Sequence, residues 1–258
     1  MSMTAYDVVG LGLSIAVAVA AGLVGCFSVM RRMALAADAM SHVALPGIGI
    51  ALLLHFNPIL GATLMLITGA ALIWTIERRS RISTETVVGV VFLVALAAGG
   101  MMTSGEELID ALFGSMASVA PWEVALGLGA AALIIAFVLR ARYALVLTAI
   151  SRDIALTSTV NVARTDLWFL LAFALTIALG LRYLGVLLMG ALLIIPPAIA
   201  KRLARNLNQM LVISAVAAVL ATVVGTALAM HSGRQSGPFI VVIAGGLFFA
   251  SLLGRRQI

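Results

Sequence analysis

The chain is dominated by repeated apolar runs of about 20 residues, each long enough to carry a helix across a hydrocarbon layer about 30 Å thick. They fall near 8–30, 39–55, 58–76, 86–103, 121–139, 166–181, 183–200, 209–231 and 238–254. Without water to satisfy the backbone, only helices or a closed barrel can span such a layer. No run alternates apolar and polar residues with the period of two that a barrel wall requires, so the runs read as helices. Composition agrees: 63% of the residues are hydrophobic, 10% are charged and the mean hydropathy is +1.20, which excludes a soluble domain of 258 residues. The expectation is an all-α, polytopic transmembrane helix bundle of eight or nine spans, with residues 1–258 forming one domain. The first run, Val8 to Met30, lacks a preceding basic segment and a small-residue cleavage site, so it reads as a retained span.

Two places leave the count open. Pro46-Gly47 and Asn57-Pro58 interrupt the stretch 39–76, and proline removes a backbone donor and favours a break, so one piece there could be a half-helix. Leu181-Arg182-Tyr183 reads as a turn between two short spans. Small residues such as Gly61, Gly69, Ala70, Gly89, Gly99 and Gly100 recur inside the runs, which suits close helix approach.

The formal charge of +6 reports topology and not nucleic-acid binding. All of the 16 cations except Arg182 and Arg234 lie in five clusters: Arg31/Arg32, Arg78/Arg79/Arg81, Arg140/Arg142/Arg152/Arg164, Lys201/Arg202/Arg205 and Arg255/Arg256. An intervening connection instead carries Glu106, Glu107 and Asp110, read as a solvated acidic loop. The positive-inside rule then places the five clusters and the C-terminus in the cytoplasm; with nine spans the N-terminus is outside.

Asp38 and His42 stand out against this background. Side chains four apart share a helix face, and a carboxylate with an imidazole can hold a divalent cation such as Zn(II) or Mn(II). An ionisable pair inside a span is a functional candidate by default. The competing structural role for Asp38 is that of an N-cap at the mouth of the second span. His55 sits at a span end beside Asn57-Pro58, and His231 lies near the outer surface; both read as interfacial. Cys26, the single cysteine, and the 12 methionines read as packing. No phosphate-cradling glycine loop, nucleophile elbow or metalloprotease helix is present, so the chain is not expected to be an enzyme or to hold a permanent cofactor. The segment 150–163 reads as a short cytoplasmic helix begun by Ser151, with Ile154, Leu156, Val160 and Val162 on an apolar side that could dock a soluble partner or lie on the membrane.

The stretch Arg31-Arg32-Met33-Ala34-Leu35, followed by Asp38-Ala39-Met40-Ser41-His42-Val43-Ala44-Leu45-Pro46-Gly47, resembles the signature of the permease subunits of zinc, manganese and iron ABC importers. Leu112-Phe113-Gly114-Ser115, Gly185-Val186-Leu187-Leu188, Ile194-Ile195-Pro196-Pro197-Ala198 and Ser236-Gly237-Pro238 are similar to later family motifs, with Pro197 doubling the usual single proline. The resemblance implies a homodimer around one path in a bacterial or archaeal plasma membrane. Two cytoplasmic ATP-binding cassette subunits would drive it, and an extracytoplasmic metal-binding protein would feed it. It also implies that Asp38 and His42 coordinate the transported Zn(II) or Mn(II), with Fe(II) a third option, and that Arg152, Asp153, Ile154 and Leu156 couple the chain to the ATPase. Two rivals remain: a proton-coupled secondary carrier, with the pair as a proton relay, and an ABC permease for a metal chelate.

Overall fold

The computed structural model describes residues 5–80, 82–102, 121–150, 155, 157–158, 160–184 and 186–253. The apolar runs fold as α1 (Ala5–Met30), α2 (Ala36–Leu53), α3 (Pro58–Arg79), α4 (Thr84–Met102), α5 (Pro121–Ile150), α6 (Val162–Tyr183), α7 (Val186–Leu203), α8 (Leu207–Ser232) and α9 (Ser236–Leu253). Among the described residues there is no strand, and eight of these helices are long and apolar enough to cross a membrane. The ninth, α7, carries Pro196 and Pro197 inside it and Lys201 and Arg202 in its last turn. The chain is therefore a multi-pass helix bundle.

Asparagine starts three of the helices. Asn57 accepts a hydrogen bond from the Ile59 amide with Pro58 at the first helical position, Asn161 accepts from Arg164 and Asn206 from Gln209. Each satisfies an amide that the helix itself leaves open. Gly233, at φ 62°, ends α8 in the left-handed conformation that glycine adopts without a Cβ penalty.

α1 is the central post, packed against α5, α6, α7 and α8, with Val17, Ala18, Ala20, Ala21, Val24 and Phe27 fully buried. On one side α2 packs against α3 and α4; on the other α7, α8 and α9 pack together, and α2 meets α7 between the two groups. Lipid supplies no hydrophobic drive between helices, so close approach has to do the work. A Cβ on Gly47 would collide with the Gly61 carbonyl and one on Gly61 with the Gly47 carbonyl, which shows α2 and α3 in direct backbone contact. Gly25 of α1 likewise sits on the Leu193 carbonyl of α7. Ser214 donates to the Gly22 carbonyl at 2.8 Å across the α1–α8 seam. Interhelical hydrogen bonds in membranes average about 0.6 kcal/mol. Ser214→Ala is therefore expected to lower stability by about that amount in a detergent unfolding titration.

Three sequence expectations change. The fifth helix does not stop near residue 139 but continues to Ile150, with Arg142 bonding Asn208 of α8 at 3.1 Å and Leu145 fully buried. Pro46 does not break α2, which runs unbroken from Ala36 to Leu53. The turn expected at Leu181-Arg182-Tyr183 is helical, and the chain turns only at Leu184. There the Arg182 guanidinium pairs with Glu123 at 2.9 Å and the Tyr183 hydroxyl donates to the Glu123 carbonyl, so contacts with α5 hold the last turn of α6.

The basic clusters gather at one end of the bundle. Arg31 reaches Thr148 and Asp166, Arg142 reaches Asn208, and Arg202 donates to the carbonyls of Ser251 and Leu252 at the end of α9. Residues 31–33 also share a cavity wall with Glu77, Ser80 and Ser83 to Glu85. Arg182, at the opposite end, has its charge offset by Glu123. Arg152, Arg255 and Arg256 lie outside the described residues, as do Glu106, Glu107, Asp110 and the Leu112 to Ser115 motif.

Candidate functional site

Asp38 and His42 lie one turn apart near the beginning of α2. The N-cap of this helix is Leu35, with no side-chain capping bond, so Asp38 is not the cap that the structural alternative required; it lies within the first turn. Ser41 spends its hydroxyl on the Asp38 carbonyl at 2.6 Å.

In α2, Ala37, Met40, Val43, Ala44 and Leu45 are buried against neighbouring helices. Asp38 is exposed and His42 half-buried near the start of the helix, Ile50 and Leu53 are exposed at its end, and every residue from Val43 to Gly49 between them is buried, so the acid and the imidazole lie in a local opening of the helix surface. Asp38 abuts α7 where that helix carries Gly190: a Cβ placed there would stand 3.4 Å from the Asp38 Oδ1. The absence of a side chain at Gly190 leaves room beside the carboxylate. His42 faces α4, its ring centroid 5.5 Å from that of Phe92 with the planes tilted by 55°. At the rise of an α-helix, Gly190 lies about 20 Å along α7 from Leu203, and Phe92 about 12 Å along α4 from Thr84. Both residues lie within the candidate span Ala36–Leu53.

Among the described residues no three His, Cys, Asp or Glu side chains converge, so of these side-chain types the described residues bring only Asp38 and His42 to that site. His55, at φ 55°, sits exposed just past the end of α2, and His231 is exposed in the last turn of α8. Neither joins the pair. Arg152, Asp153, Ile154 and Leu156 lie outside the described residues; of that connection, Ala155 and Thr157 are helical and Ala155 is fully buried. Gly190 and Phe92 carried no sequence signal, since a glycine and a phenylalanine inside apolar runs look like packing.

An acid and an imidazole one turn apart in a spanning helix of a multi-pass bundle mark a functional site and suit a membrane transport protein. The model of the ABC 3 transport family matches residues 7–255. The chain belongs to that family, as the motifs around Asp38 and His42 had indicated. It is 29% identical to the manganese transport system membrane protein MntC of Halalkalibacterium halodurans, over 91% of this chain and 82% of that one. It is 28% identical to the high-affinity zinc uptake system membrane protein ZnuB of Haemophilus influenzae, over 91% and 92%. It is 31% identical to the chelated iron transport system membrane protein YfeD of Yersinia pestis, over 93% and 82%. Among solved structures, PsaBC from Streptococcus pneumoniae in complex with Fab superposes with a TM-score of 0.82 at 27% identity, covering 96% of this chain and 91% of that one.

Proposed function

We propose that this chain is the membrane-spanning subunit of an ABC importer that moves a divalent transition metal ion into the cytoplasm. Zinc and manganese suit the ligand pair best, and iron is also within its range. The observation that carries the proposal is the placement of Asp38 and His42 on one face of α2, one turn apart within a span, with Asp38 exposed and His42 half-buried. A carboxylate facing lipid is costly, so the exposed Asp38 belongs against water or protein. A second copy of the chain covering it would enclose the path, and two pairs facing each other would double the ligands. Two ligands per chain grip weakly, which suits an ion that has to leave again. MntC and ZnuB support this cargo class by their names, while YfeD is named for chelated iron.

The gathering of basic residues at one end supports a cytoplasmic assignment for that end and for the C-terminus, with the N-terminus outside and the protein in a bacterial or archaeal plasma membrane. Two ATP-binding cassette subunits dock there, against the 150–163 connection, and hydrolyse ATP; an extracytoplasmic metal-binding protein delivers the ion at the other end. Nucleic acid has no part. Within the connection, Arg152, Asp153, Ile154 and Leu156 make the contact. Leu156→Asp is expected to cut transport about tenfold while leaving metal binding unchanged, since one lost buried leucine contact is worth at least that factor. Parallel assays of ATPase rate and uptake in proteoliposomes read this.

Reconstitution tests the proposal against its rival. Uptake that requires the ATPase, ATP and the metal-loaded binding protein supports it. Uptake by this chain alone under a pH gradient would make it a secondary carrier, with Asp38 and His42 relaying protons.

A further inference from the structure

Arg31 opens the turn that leads into α2; its backbone amide donates to the Phe27 carbonyl of α1, while its side chain reaches two other helices. Nη1 pairs with Asp166 Oδ1 at 2.8 Å, Nη2 donates to Thr148 Oγ1 at 2.7 Å, and the guanidinium carbon lies 4.4 Å from the centroid of the Phe169 ring. Thr148 belongs to the last turn of α5, whereas Asp166 and Phe169 belong to the first turns of α6. One planar cation therefore holds together the two helices that bracket the 150–163 connection, and it does so from the chain segment that carries Asp38. The side chains of the ion pair are only 12% and 14% exposed, so water screens the pair weakly. Directly beside it lies a cavity of about 150 Å³ lined by Arg31, Met33, Glu77, Thr84, Thr148 and Asp166. The α1–α2 turn thus meets α5 and α6 through a polar clamp set beside the buried side chain of Met33.

Resting on the reading that the 150–163 connection meets the ATPase, we propose that Arg31 is the positioning residue of the transport cycle. Through Thr148 and Asp166 it passes displacement of the connection to the start of α2, and so to Asp38 and His42. The forked guanidinium is suited to this because it bonds two helices at once in fixed geometry, which a lysine ammonium does not. A rigid pull on the α1–α2 turn acts within two helical turns of Asp38, where α7 at Gly190 and α4 at Phe92 also touch the helix.

The test uses the complete dimer with its ATPase subunits in proteoliposomes, comparing wild type with Arg31→Gln, Arg31→Lys and Thr148→Val. Three quantities are read: metal moved per ATP hydrolysed, basal ATPase rate, and equilibrium binding of Mn(II) to the dimer in detergent. Expected for Arg31→Gln is a loss of about tenfold or more in metal moved per ATP, since a charge-assisted contact is removed from both helices, with Mn(II) binding unchanged. Arg31→Lys recovers part of the ratio, and Thr148→Val, which removes one contact only, loses about threefold. A merely structural role would reduce the amount of assembled complex but not the ratio per ATP. If Arg31→Gln does not assemble, the lysine and Thr148→Val variants decide. A wild-type ratio in the variants that assemble, or a fall in Mn(II) binding that matches the fall in transport, overturns the clamp. Wild-type complex that moves no metal with ATP would instead overturn the functional reading on which the clamp rests.

Discussion

Asp38→Ala and His42→Ala each abolish ATP-driven metal uptake, with an expected loss of at least about 100-fold at limiting metal. The floor follows from coordination chemistry: removing a partner that merely orients a ligand already costs 10–100-fold in affinity or activity, and these substitutions remove the ligand itself. The fold should tolerate both changes, because Asp38 is exposed and His42 half-buried, so truncation leaves no sizeable cavity. Asp38→Asn separates charge from shape: it keeps the volume and loses the carboxylate, and uptake should fall nearly as far as with alanine. Uptake of Zn(II), Mn(II) and Fe(II) measured in turn, with membrane abundance as the control, checks all three variants. If the cargo were a bulky metal chelate, uptake would survive in the alanine variants.

Gly61→Leu breaks the bundle where α2 and α3 touch. The obstacle to a side chain is the Gly47 carbonyl, a backbone atom that cannot rotate away, and behind it stands the Ala51 Cβ at 2.7 Å from the new Cβ position. The helices have to separate by more than a rotamer change can absorb. Overpacking of a close-packed interior costs about 1–3 kcal/mol, and a backbone obstacle puts this site at the upper end. Because α2 is the helix that carries Asp38, transport should be lost together with stability, unlike the alanine variants of the metal pair, which lose transport alone. Thermal unfolding of the purified protein in detergent reads the difference. By contrast Gly89, where nothing lies within 4 Å of an added Cβ, should accept alanine without effect.

The span pattern was legible because a membrane leaves the backbone so few options: each long apolar run becomes a helix, and observed helix starts differ from the expected ones by a few residues at most. The Asp38/His42 face was legible for the same reason, since a spacing of four inside a helix fixes the relation of two side chains without any tertiary knowledge. What could not be read were the places where a distant partner overrides a local signal. Arg140 and Arg142 looked like the water boundary of the fifth helix, yet Asn208 of α8 receives Arg142 and the helix runs on. Arg182 looked like a turn, yet Glu123 lies across from it in α5. Pro46 looked like a break, but Gly99 of α4 closes on Leu45 and Pro46, with 3.3 Å from a Cβ position to the proline nitrogen, so a neighbouring helix supports the weak point. The role of Arg31 was invisible for a related reason: within its cluster it resembles any boundary arginine, and only the folded chain brings Thr148, Asp166 and Phe169 around it.

The most direct test is a structure of the assembled dimer soaked with Mn(II) or Zn(II), with the ion located by its anomalous signal. The expected result is one ion inside the span, with an Asp38 carboxylate oxygen and a His42 ring nitrogen each about 2.0–2.2 Å away. An ion held elsewhere, or both side chains found against lipid with no ion between them, would contradict the assignment of this chain as a metal path.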